Sequence, residues 1–341
     1  MALIGTINSP QTFGFKNKII NGNFDFWQRA TSYTYPGGIW LYGHADRWAG
    51  HFDASAAGTW SRSTNVPDSA STYSMRVTGV SGGSSAYLNQ RIEANEMREI
   101  VAKGAVTISG WVRRVGGPTS SISLNLITPT ATDNYSSYNT IGACFNVNNT
   151  ITGNGTATGS ALTLTDNSTW YYFTVTDTSI ASRTDIAKGM QLYFGLGGLD
   201  ANTKYYEFSR LQVEAGSAAT PFEFRPIGIE LTLCQRFFES TAYPDITFNT
   251  DSTRAGICFV GATGNSSGFN FLVPKRTNSP TVTLYSRNNT SGAVSLVTTG
   301  ANITGSTSSA VGGTGFRATA LGAGQTGGAG IETGWTASAE L

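Results

Sequence analysis

The stretch YYEFSRLQVEAGSAATPFEFRPIGIELTLCQRFF, residues 205–238, decides how this chain is organised. Two apolar pairs of opposite phase open it: Tyr206 with Phe208, then Leu211 with Val213. Because side chains alternate between the two faces of a strand, the change of phase near Arg210 predicts a β-bulge within one long strand.

A helix is predicted shortly after that strand. Small residues form a turn over 215–220, and Pro221 and Pro226 bias the residues before them towards extended backbone. The period then becomes helical, with Ile229, Leu233 and Phe237 four residues apart. The stretch therefore predicts the last strand of one β domain, a short amphipathic helix and the start of a second unit.

The composition is typical of an all-β protein. Glycine accounts for 41 of the 341 residues, well above its average share of about 7 %. Charged residues make up only 13 %, about half the usual share, while aromatic residues reach 11 % and argue against disorder. Short strands joined by tight turns explain this balance.

The charge and the cysteines exclude several classes of partner. A formal net charge of +1 provides no long-range field for nucleic acid or for an acidic membrane. Cys144, Cys234 and Cys258 are far apart and lack metal-ligand spacing, so we expect buried, reduced thiols, which fits assembly in a cytoplasm. We expect no signal peptide and no membrane insertion, because the sequence shows no basic and apolar leader and no run of ~20 apolar residues.

Strands of alternating polarity fill the chain between residues 18 and 226. Their apolar sets are Tyr73, Met75, Val77; Val106, Ile108, Val112; Ile122, Leu124, Leu126; Tyr171, Phe173, Val175; and Met190, Leu192, Phe194, Leu196. Strands with one apolar face pack in two layers, which predicts a β-sandwich. Only residues 94–102, ANEMREIVA, show a helical pattern there, and we expect a short connecting helix.

Three segments carry a resemblance to a known class of module. They are KIINGNFDFWQR at 18–29, ADRWAG at 45–50, and LQVEAGSAATPFEFRP with ELTLCQRFFE at 211–226 and 230–239. Together they resemble the opening and the closing strand of carbohydrate-binding-module-like β-sandwiches in tailed-phage fibre and virion proteins. The resemblance covers residues 18–226 and implies a jelly-roll-like topology for that domain.

The rest of the chain is similar to the small C-terminal β domain of tail-fibre-like phage proteins. The segments that carry this resemblance are VPKR at 273–276, PTVTLYS at 280–286 and GWTASAEL at 334–341. The Gly/Ser/Thr-rich C-terminal β domain, 240–341, is expected to have a thin core and hence to associate with other copies. The resemblance implies that the assembly is a homotrimer.

Two further segments complete the predicted organisation. Residues 227–239 form a helical linker between the two domains. Residues 1–17 form an N-terminal arm that is too short to fold alone. We expect this arm to become ordered on binding other phage tail or capsid proteins, and so to attach the chain to the virion.

The sequence shows no constellation of catalytic residues. His44 and His51 flank Asp46-Arg47-Trp48 without metal-site spacing, so we predict a structural or surface role for both, and an ion-paired turn packed under the indole between them. Gly195-Leu196-Gly197-Gly198 follows a strand but opens no helix, which argues against a nucleotide site. A carboxylate pair for glycoside hydrolysis is not excluded, but parallel β-helix repeats are missing, which argues against a depolymerase. We therefore expect a non-enzymatic protein.

Two kinds of binding residue remain as predictions. A structural calcium ion at Asn21, Asn23 and Glu214 would suit modules of this class, although turn chemistry explains the two asparagines equally well. For a glycan the candidates are aromatic rings among polar or Gly-rich residues, because the C–H face of a sugar packs on an indole or phenol. These rings are Trp40, Tyr42, Trp60, Tyr135 and Tyr138. The alternative for each ring is a place in the core or at an interface between chains.

The sequence therefore predicts a non-enzymatic phage structural protein, a tail fibre or surface appendage, that recognises a host-surface polysaccharide during adsorption. It would be assembled in the host cytoplasm and reside on the virion surface. The alternative is a purely structural role, as a virion decoration protein, head fibre or connector whose sandwich makes protein–protein contacts.

Overall fold

The protein is all-β, with a β-sandwich followed by a short helix and a second group of strands. This computed structural model describes residues 14–53, 57–83, 85–117, 120–141, 147–151, 156–158, 161–164, 168–243, 256–259, 266–319 and 330–341. The sandwich strands are β1 (Ser32–Thr34), β2 (Ala49–Phe52), β3 (Thr59–Ser63), β4 (Ser74–Thr78), β5 (Ser85–Ile92), β6 (Val106–Val115), β7 (Ser120–Ala131), β8 (Asn134–Ile141), β9 (Val147–Ile151), β10 (Thr156–Thr158), β11 (Ala161–Leu164), β12 (Trp170–Asp177), β13 (Met190–Gly197) and β14 (Tyr205–Ala215).

These strands form two antiparallel sheets. The first has the order β1-β3-β4-β14-β6-β12-β9, and the second has the order β10-β11-β7-β13-β5-β2, with β8 paired to β7. The alternating apolar residues of both sheets meet in one buried cluster, which includes Met75, Val112, Leu124, Phe194 and Phe208. Each fully buried side chain of this kind contributes roughly 1.5–3 kcal/mol. The predicted β-sandwich is therefore confirmed.

The predicted bulge lies at Arg210, which adopts φ +51°. The register of β14 against β6 shifts between Ser209 and Gln212. The bulge frees the Leu211 N–H, which donates to the Gly22 carbonyl at 2.8 Å. A Cβ at Gly22 would lie 2.1 Å from the Leu211 oxygen, so this close approach requires glycine. The Asn-Gly turn near the start of the sandwich is thus held by its last strand.

Both predicted helices are present. A 3₁₀ turn at Ala94–Met97 leads into α1 (Arg98–Lys103), and α2 spans Ile227–Gln235. Further 3₁₀ turns lie at Ile180–Ser182 and Thr184–Lys188. Among the described residues, no helix is long and apolar enough to cross a bilayer.

The prediction for the buried face of α2 is wrong. Ile229 is 42 % exposed, and the buried residues of α2 are Glu230, Cys234 and Gln235. The Glu230 carboxylate faces inward because it accepts hydrogen bonds from the Asn21 backbone N–H and from Arg225. These two buried hydrogen-bond donors, and not the spacing of the apolar residues, determine which face of α2 is buried. Cys234 is a free, buried thiol, whereas Cys144 and the side chain of Cys258 lie outside the described residues.

The second group of strands, here called the C-terminal unit, follows α2. It contains β15 (Phe238–Ser240), β16 (Gly256–Phe259), β17 (Ser266–Asn270), β18 (Thr281–Tyr285), β19 (Ala293–Leu296), β20 (Asn302–Thr304), β21 (Thr307–Gly312), β22 (Gly315–Thr319) and β23 (Gly330–Ser338). Strand β23 is central to one sheet, pairing with β15, β16, β18 and β19, and a second sheet has the order β17-β22-β21.

The C-terminal unit has a core of its own. Phe271, Phe316 and Trp335 are buried and contact one another at ring-centroid distances of 5.4–5.8 Å. Leu284, Val294 and Ile331 are also buried in this cluster. Within the described residues this cluster is much smaller than the buried cluster of the sandwich, which agrees with the expected thin core. Association with other copies of the chain stays a prediction.

Buried ion pairs join the C-terminal unit to the sandwich. The Glu340 carboxylate pairs with Arg29 at 2.9 Å and also with Arg47, which is 1 % exposed. The Arg47 guanidinium also stacks on the Phe237 ring, 3.5 Å from its centroid. We call Glu340, Arg29 and Arg47 the interdomain clamp. The predicted turn at Asp46-Arg47-Trp48 is ion-paired, since Arg47 pairs with Glu340 and Asp46 pairs with Arg29. Trp48 is fully buried next to this turn.

Candidate functional site

Four rings gather on the outer face of the second sheet, and we call them the aromatic platform: Trp40, His51, Tyr87 and Tyr193. In β5 the neighbours Ala86 and Leu88 are buried, so Tyr87 points away from the core. In β13 Leu192 and Phe194 are buried, which turns Tyr193 outward in the same way. The strand alternation thus places aromatic side chains on a face that reaches solvent.

The rings of the platform contact one another across strands. Tyr87 and Tyr193 have ring centroids 5.3 Å apart, and His51 lies opposite Tyr87 in the register of β2 with β5. Trp40 comes from the loop before β2 and lies 5.0 Å from His51 and 5.8 Å from Tyr193. Trp40 is 39 % exposed, as its Gly-rich loop led us to expect.

Two polar side chains adjoin the platform. Gly195 lies opposite Tyr87 on β5 and opposite Ser123 on β7. A Cβ at Gly195 would lie 2.4 Å from Ser123 Oγ, so the missing side chain lets the Ser123 hydroxyl pack close to the strand beside the Tyr87 ring. Asn125, half-buried on the same face, lies opposite Tyr193. Aromatic and hydrogen-bonding groups therefore alternate across this surface.

The rings of the platform are uncharged near neutral pH. Burial lowers the pKa of His51 below its ordinary value, despite the opposing charge of Asp53. Burial also raises the pKa of Tyr87 above its ordinary value. His51 is therefore a neutral ring here, and the nearby Asp53 carboxylate makes the surface less suited to an anionic ligand than to an uncharged one.

The other end of this sheet face is covered. Arg91 donates a hydrogen bond to the Leu341 carbonyl, and the Tyr42 hydroxyl donates to the same oxygen at 3.5 Å. Tyr42 is half-buried, and burial raises its pKa above the ordinary value. Tyr42 therefore belongs to the contact with the C-terminal unit and not to the aromatic platform.

Two of the predicted glycan-binding rings are core residues. Trp60 is fully buried, with His44 4.9 Å and Phe52 5.8 Å from its ring centroid. Tyr135 is buried, and its hydroxyl donates to the Ile92 carbonyl at 2.8 Å. Neither ring offers a face to a ligand, so both assignments are corrected. Tyr138 lies in β8, but its side chain is outside the described residues.

His44 has the structural role that the sequence predicted. It is fully buried among Trp27, Tyr35 and Trp60. Burial lowers its pKa to about 3, so the imidazole remains neutral. His51 is half-buried at the surface, within the platform, which agrees with the surface role that was predicted as the alternative.

The side-chain oxygens of the predicted calcium residues accept hydrogen bonds within the protein. Asn21 Oδ1 accepts the Phe26 N–H at 3.0 Å, and Asn23 Oδ1 accepts the Ser71 hydroxyl at 2.7 Å. The Glu214 oxygens accept from Gln212 and Thr220. In the described part of the chain, no group of three or more His, Cys, Asp or Glu side chains could hold a metal ion. Turn and loop hydrogen bonding explains these residues.

Tyr87 and Tyr193 are the site residues that the sequence prediction missed. That prediction looked for rings in polar loops, whereas these two rings lie within strands. The signal was available in the alternation of β13, since burying Leu192 and Phe194 leaves Tyr193 on the solvent face. An aromatic residue at a solvent-facing strand position is the pattern that would have found them.

The solved structures that the chain resembles include several carbohydrate-binding modules. A module named TmCBM61, in complex with β-1,4-galactotriose, has a TM-score of 0.33 and 11 % identity, over 59 % of this chain and 99 % of that chain. A family 11 carbohydrate-binding module from Clostridium thermocellum, in complex with a β-1,3-1,4-mixed-linked tetrasaccharide, has a TM-score of 0.30 and 9 % identity, over 55 % of this chain and 98 % of that chain.

One of the similar structures comes from a phage. The enzymatically active domain of tailspike protein 4 from bacteriophage CBA120 has a TM-score of 0.32 and 10 % identity, over 60 % of this chain and 22 % of that chain. No protein-family model and no curated protein sequence matches the chain. Likenesses this distant describe what the chain resembles, and the fold follows from its own sheets.

Proposed function

We propose that this chain binds a neutral glycan on the aromatic platform. The observation that carries the proposal is the contact of Trp40, His51, Tyr87 and Tyr193 on an open sheet face, with ring centroids 5.0–6.3 Å apart. Sugar rings present C–H faces that pack on such aromatic faces. The binding-module resemblance of residues 18–226 agrees with this proposal.

The ligand suited to the platform is an uncharged polysaccharide chain. Several adjoining rings can support consecutive sugar units. Ser123 and Asn125 border the same surface and offer hydroxyl and amide groups to the sugar hydroxyls. Covering the His51 ring would cost little, because the ring itself is neutral and carries no charge to desolvate.

A glycan array followed by titration tests this proposal. The wild-type chain should bind a subset of neutral polysaccharides. Trp40→Ala should weaken the binding by roughly 5- to 150-fold, since a stacked aromatic anchor contributes about 1–3 kcal/mol. Its thermal stability should remain nearly unchanged, because the Trp40 side chain is 39 % exposed.

Phe224→Ala is the matched control for Trp40→Ala. Phe224 is also a surface ring, 53 % exposed, but it lies beside α2 and outside the platform. The Phe224→Ala variant should bind glycan with the same affinity as the wild type. Equal affinity of Trp40→Ala and wild type, or a large loss of stability in Trp40→Ala, would contradict the assignment of this ring.

We infer further that the glycan is on a host surface and that the chain acts in phage adsorption, as a tail fibre or similar virion appendage. The supporting observation is the resemblance of the segments at 18–29, 45–50, 211–226 and 273–286 to phage fibre and virion proteins. The proposed protein is a non-enzymatic homotrimer, attached to other virion proteins by residues 1–17. Antibody labelling of intact particles tests the location, and release of reducing sugar from the bound polysaccharide would contradict the non-enzymatic role.

A second candidate function is protein–protein contact within the virion. It is favoured by an apolar surface beside α2, where Phe224, Ile227 and Ile229 are 53 %, 63 % and 42 % exposed. Adjacent exposed apolar residues of this kind mark interaction sites. Charged substitutions at Ile227 and Ile229 that prevent virion assembly, together with no binding on the glycan array, would favour this decoration or connector role.

A further inference from the structure

A row of four side chains crosses the outer face of the first sheet, on the side of the sandwich that is opposite to the aromatic platform. Arg76 on β4, Glu207 on β14, Arg113 on β6 and Trp170 on β12 stand opposite one another in the registers of these strands. We call these four residues the arginine row. Their neighbours along the strands include buried core residues: Met75, Val77, Tyr206, Phe208, Val112 and Tyr171. The alternation of the strands therefore turns the row towards solvent.

One buried carboxylate in the arginine row serves two guanidinium groups. Glu207 Oε1 accepts a hydrogen bond from Arg76 Nη2 at 2.7 Å, and its Oε2 accepts one from Arg113 Nη1 at 2.5 Å. Two positive charges and one negative charge leave an excess of one positive charge. Arg210 on the same sheet pairs with Asp68 at 2.5 Å, so that pair adds no net charge. The arginine row can therefore accept one more anionic group.

Each guanidinium of the row keeps one amino group that reaches solvent. Arg76 uses Nε and Nη2 in its contacts with Glu207, and Arg113 uses Nη1 there and donates from Nε to the Ser168 carbonyl at 2.8 Å. Arg76 Nη1 and Arg113 Nη2 have no acceptor among the described residues, and neither atom is buried. The two side chains are 33 % and 12 % exposed. The row thus offers two accessible, charged hydrogen-bond donors.

Aromatic rings adjoin these two donors. The Tyr205 ring centroid lies 4.3 Å from Arg76 Cζ and 6.0 Å from Arg113 Cζ. Trp170 Nε1 donates to Asn65 Oδ1 at 3.0 Å, which fixes the orientation of the indole. Both rings are half-buried, so each keeps part of its surface in contact with solvent. A sugar ring can pack its C–H groups on such rings while a charged substituent reaches the guanidinium groups.

We propose that the arginine row is a second ligand site, which takes the carboxylate of an acidic sugar, a uronic acid, on the guanidinium groups of Arg76 and Arg113. A guanidinium matches a carboxylate in geometry, and the hydrogen bond between them is strengthened by both charges. The ligand carboxylate also balances the excess charge that Glu207 leaves. A neutral sugar would leave that charge unpaired, so this site selects a different class of glycan from the aromatic platform and does not depend on it.

Isothermal titration calorimetry with trigalacturonic acid and its methyl ester tests the proposal. The protein is the full chain with Trp40→Ala and Tyr87→Ala, two substitutions that remove the aromatic platform. The acid should bind, and its affinity should fall as the salt concentration rises. The neutral methyl ester should bind more weakly by about ten-fold or more, because it lacks the charge that strengthens the hydrogen bonds. No binding of the acid, or equal affinity for acid and ester, would overturn the second site.

Variants of the row locate the binding. Arg76→Gln should weaken binding of the acid by about ten-fold or more, and Glu207 keeps Arg113 and the Ser63 hydroxyl as partners in this variant. Trp170→Ala should also weaken it, which provides a second test if Arg76→Gln fails to fold.

Arg62→Gln is the matched control for Arg76→Gln. Arg62 is exposed and lies over the Tyr73 ring, outside the row, so this variant should bind the acid with unchanged affinity. An affinity for the acid that neither Arg76→Gln nor Trp170→Ala reduces would overturn the site, as would displacement of the acid by an equal concentration of sodium sulfate. Neither result would affect the proposal for the aromatic platform.

Discussion

Replacing Glu340 by alanine should release the interdomain clamp and lower the stability of the whole chain. The Glu340 side chain is 7 % exposed and pairs with both Arg29 and Arg47. After the substitution, Arg47 keeps its hydrogen bond to the Arg91 carbonyl and its contact with the Phe237 ring, but its buried charge loses its carboxylate. Arg29 is more exposed and keeps Asp46 at 3.5 Å, so its loss is smaller.

The expected loss follows from the burial of Arg47. Breaking a buried pair from one side costs about 3–5 kcal/mol, and the partners that Arg47 retains place our expectation near 3 kcal/mol. With a urea m-value of about 3 kcal/mol/M for a chain of this size, the unfolding midpoint should fall by about 1 M. Urea titration followed by tryptophan fluorescence measures this shift. Glu340→Gln keeps one acceptor oxygen and should lose less.

Asp68→Ala is the control for Glu340→Ala. Asp68 pairs with Arg210 at 2.5 Å, but its side chain is 49 % exposed. Exposed pairs contribute about 0–1 kcal/mol because water screens them. The midpoint for Asp68→Ala should therefore stay within about 0.3 M of wild type at the same m-value. A shift for Glu340→Ala as small as the shift for Asp68→Ala would refute the reasoning about buried charge.

Three further predictions concern Asp46, Trp60 and the proposed trimer. Burial raises the pKa of Asp46 from 3.8 to about 6, so its contribution to stability is fully present below about pH 4 and is lost as the pH rises through about 6. Between pH 4 and pH 7 the free energy of unfolding, measured by urea titration, should therefore fall by about 1–3 kcal/mol less in Asp46→Asn than in the wild type. The same pH dependence in both proteins would contradict this prediction. Trp60→Ala should cost about 3–5 kcal/mol in the same urea titration, because the ring is fully buried, while the folded fraction binds glycan as the wild type does. Light scattering should find a trimer both for the full chain and for a chain lacking residues 2–16. Only the full chain should be incorporated into virions. A monomeric full chain would contradict the proposed fibre architecture.

The sequence predicted those parts of the fold that depend on local periodicity. Alternation in β6, β7, β12 and β13 marked the sheets, and the change of phase at Arg210 marked the bulge that holds the Asn-Gly turn. The face of α2 could not be predicted in this way. Glu230 is turned inward by the Asn21 N–H and by Arg225, and both contacts depend on residues distant from it in sequence.

The candidate site was only partly predictable. Trp40 follows a Gly-Gly pair and Trp60 lies among small and polar residues, yet Trp40 covers a sheet face and Trp60 fills the core. Gly50 explains part of this difference, since a Cβ there would lie 2.7 Å from the Trp60 ring, and the missing side chain makes room for it. Gly50 and Trp60 lie on strands of different sheets, so their contact depends on how the two sheets pack. The local sequence around either residue therefore does not predict it.

The structure of the chain with a bound oligosaccharide, chosen from the glycan array, tests the central claim most directly. We predict that consecutive sugar rings pack on Trp40, Tyr87 and Tyr193, with a hydroxyl group within hydrogen-bond distance of Ser123 or Asn125. An oligosaccharide bound to another surface of the sandwich, with the four platform rings left in contact with solvent, would contradict the account.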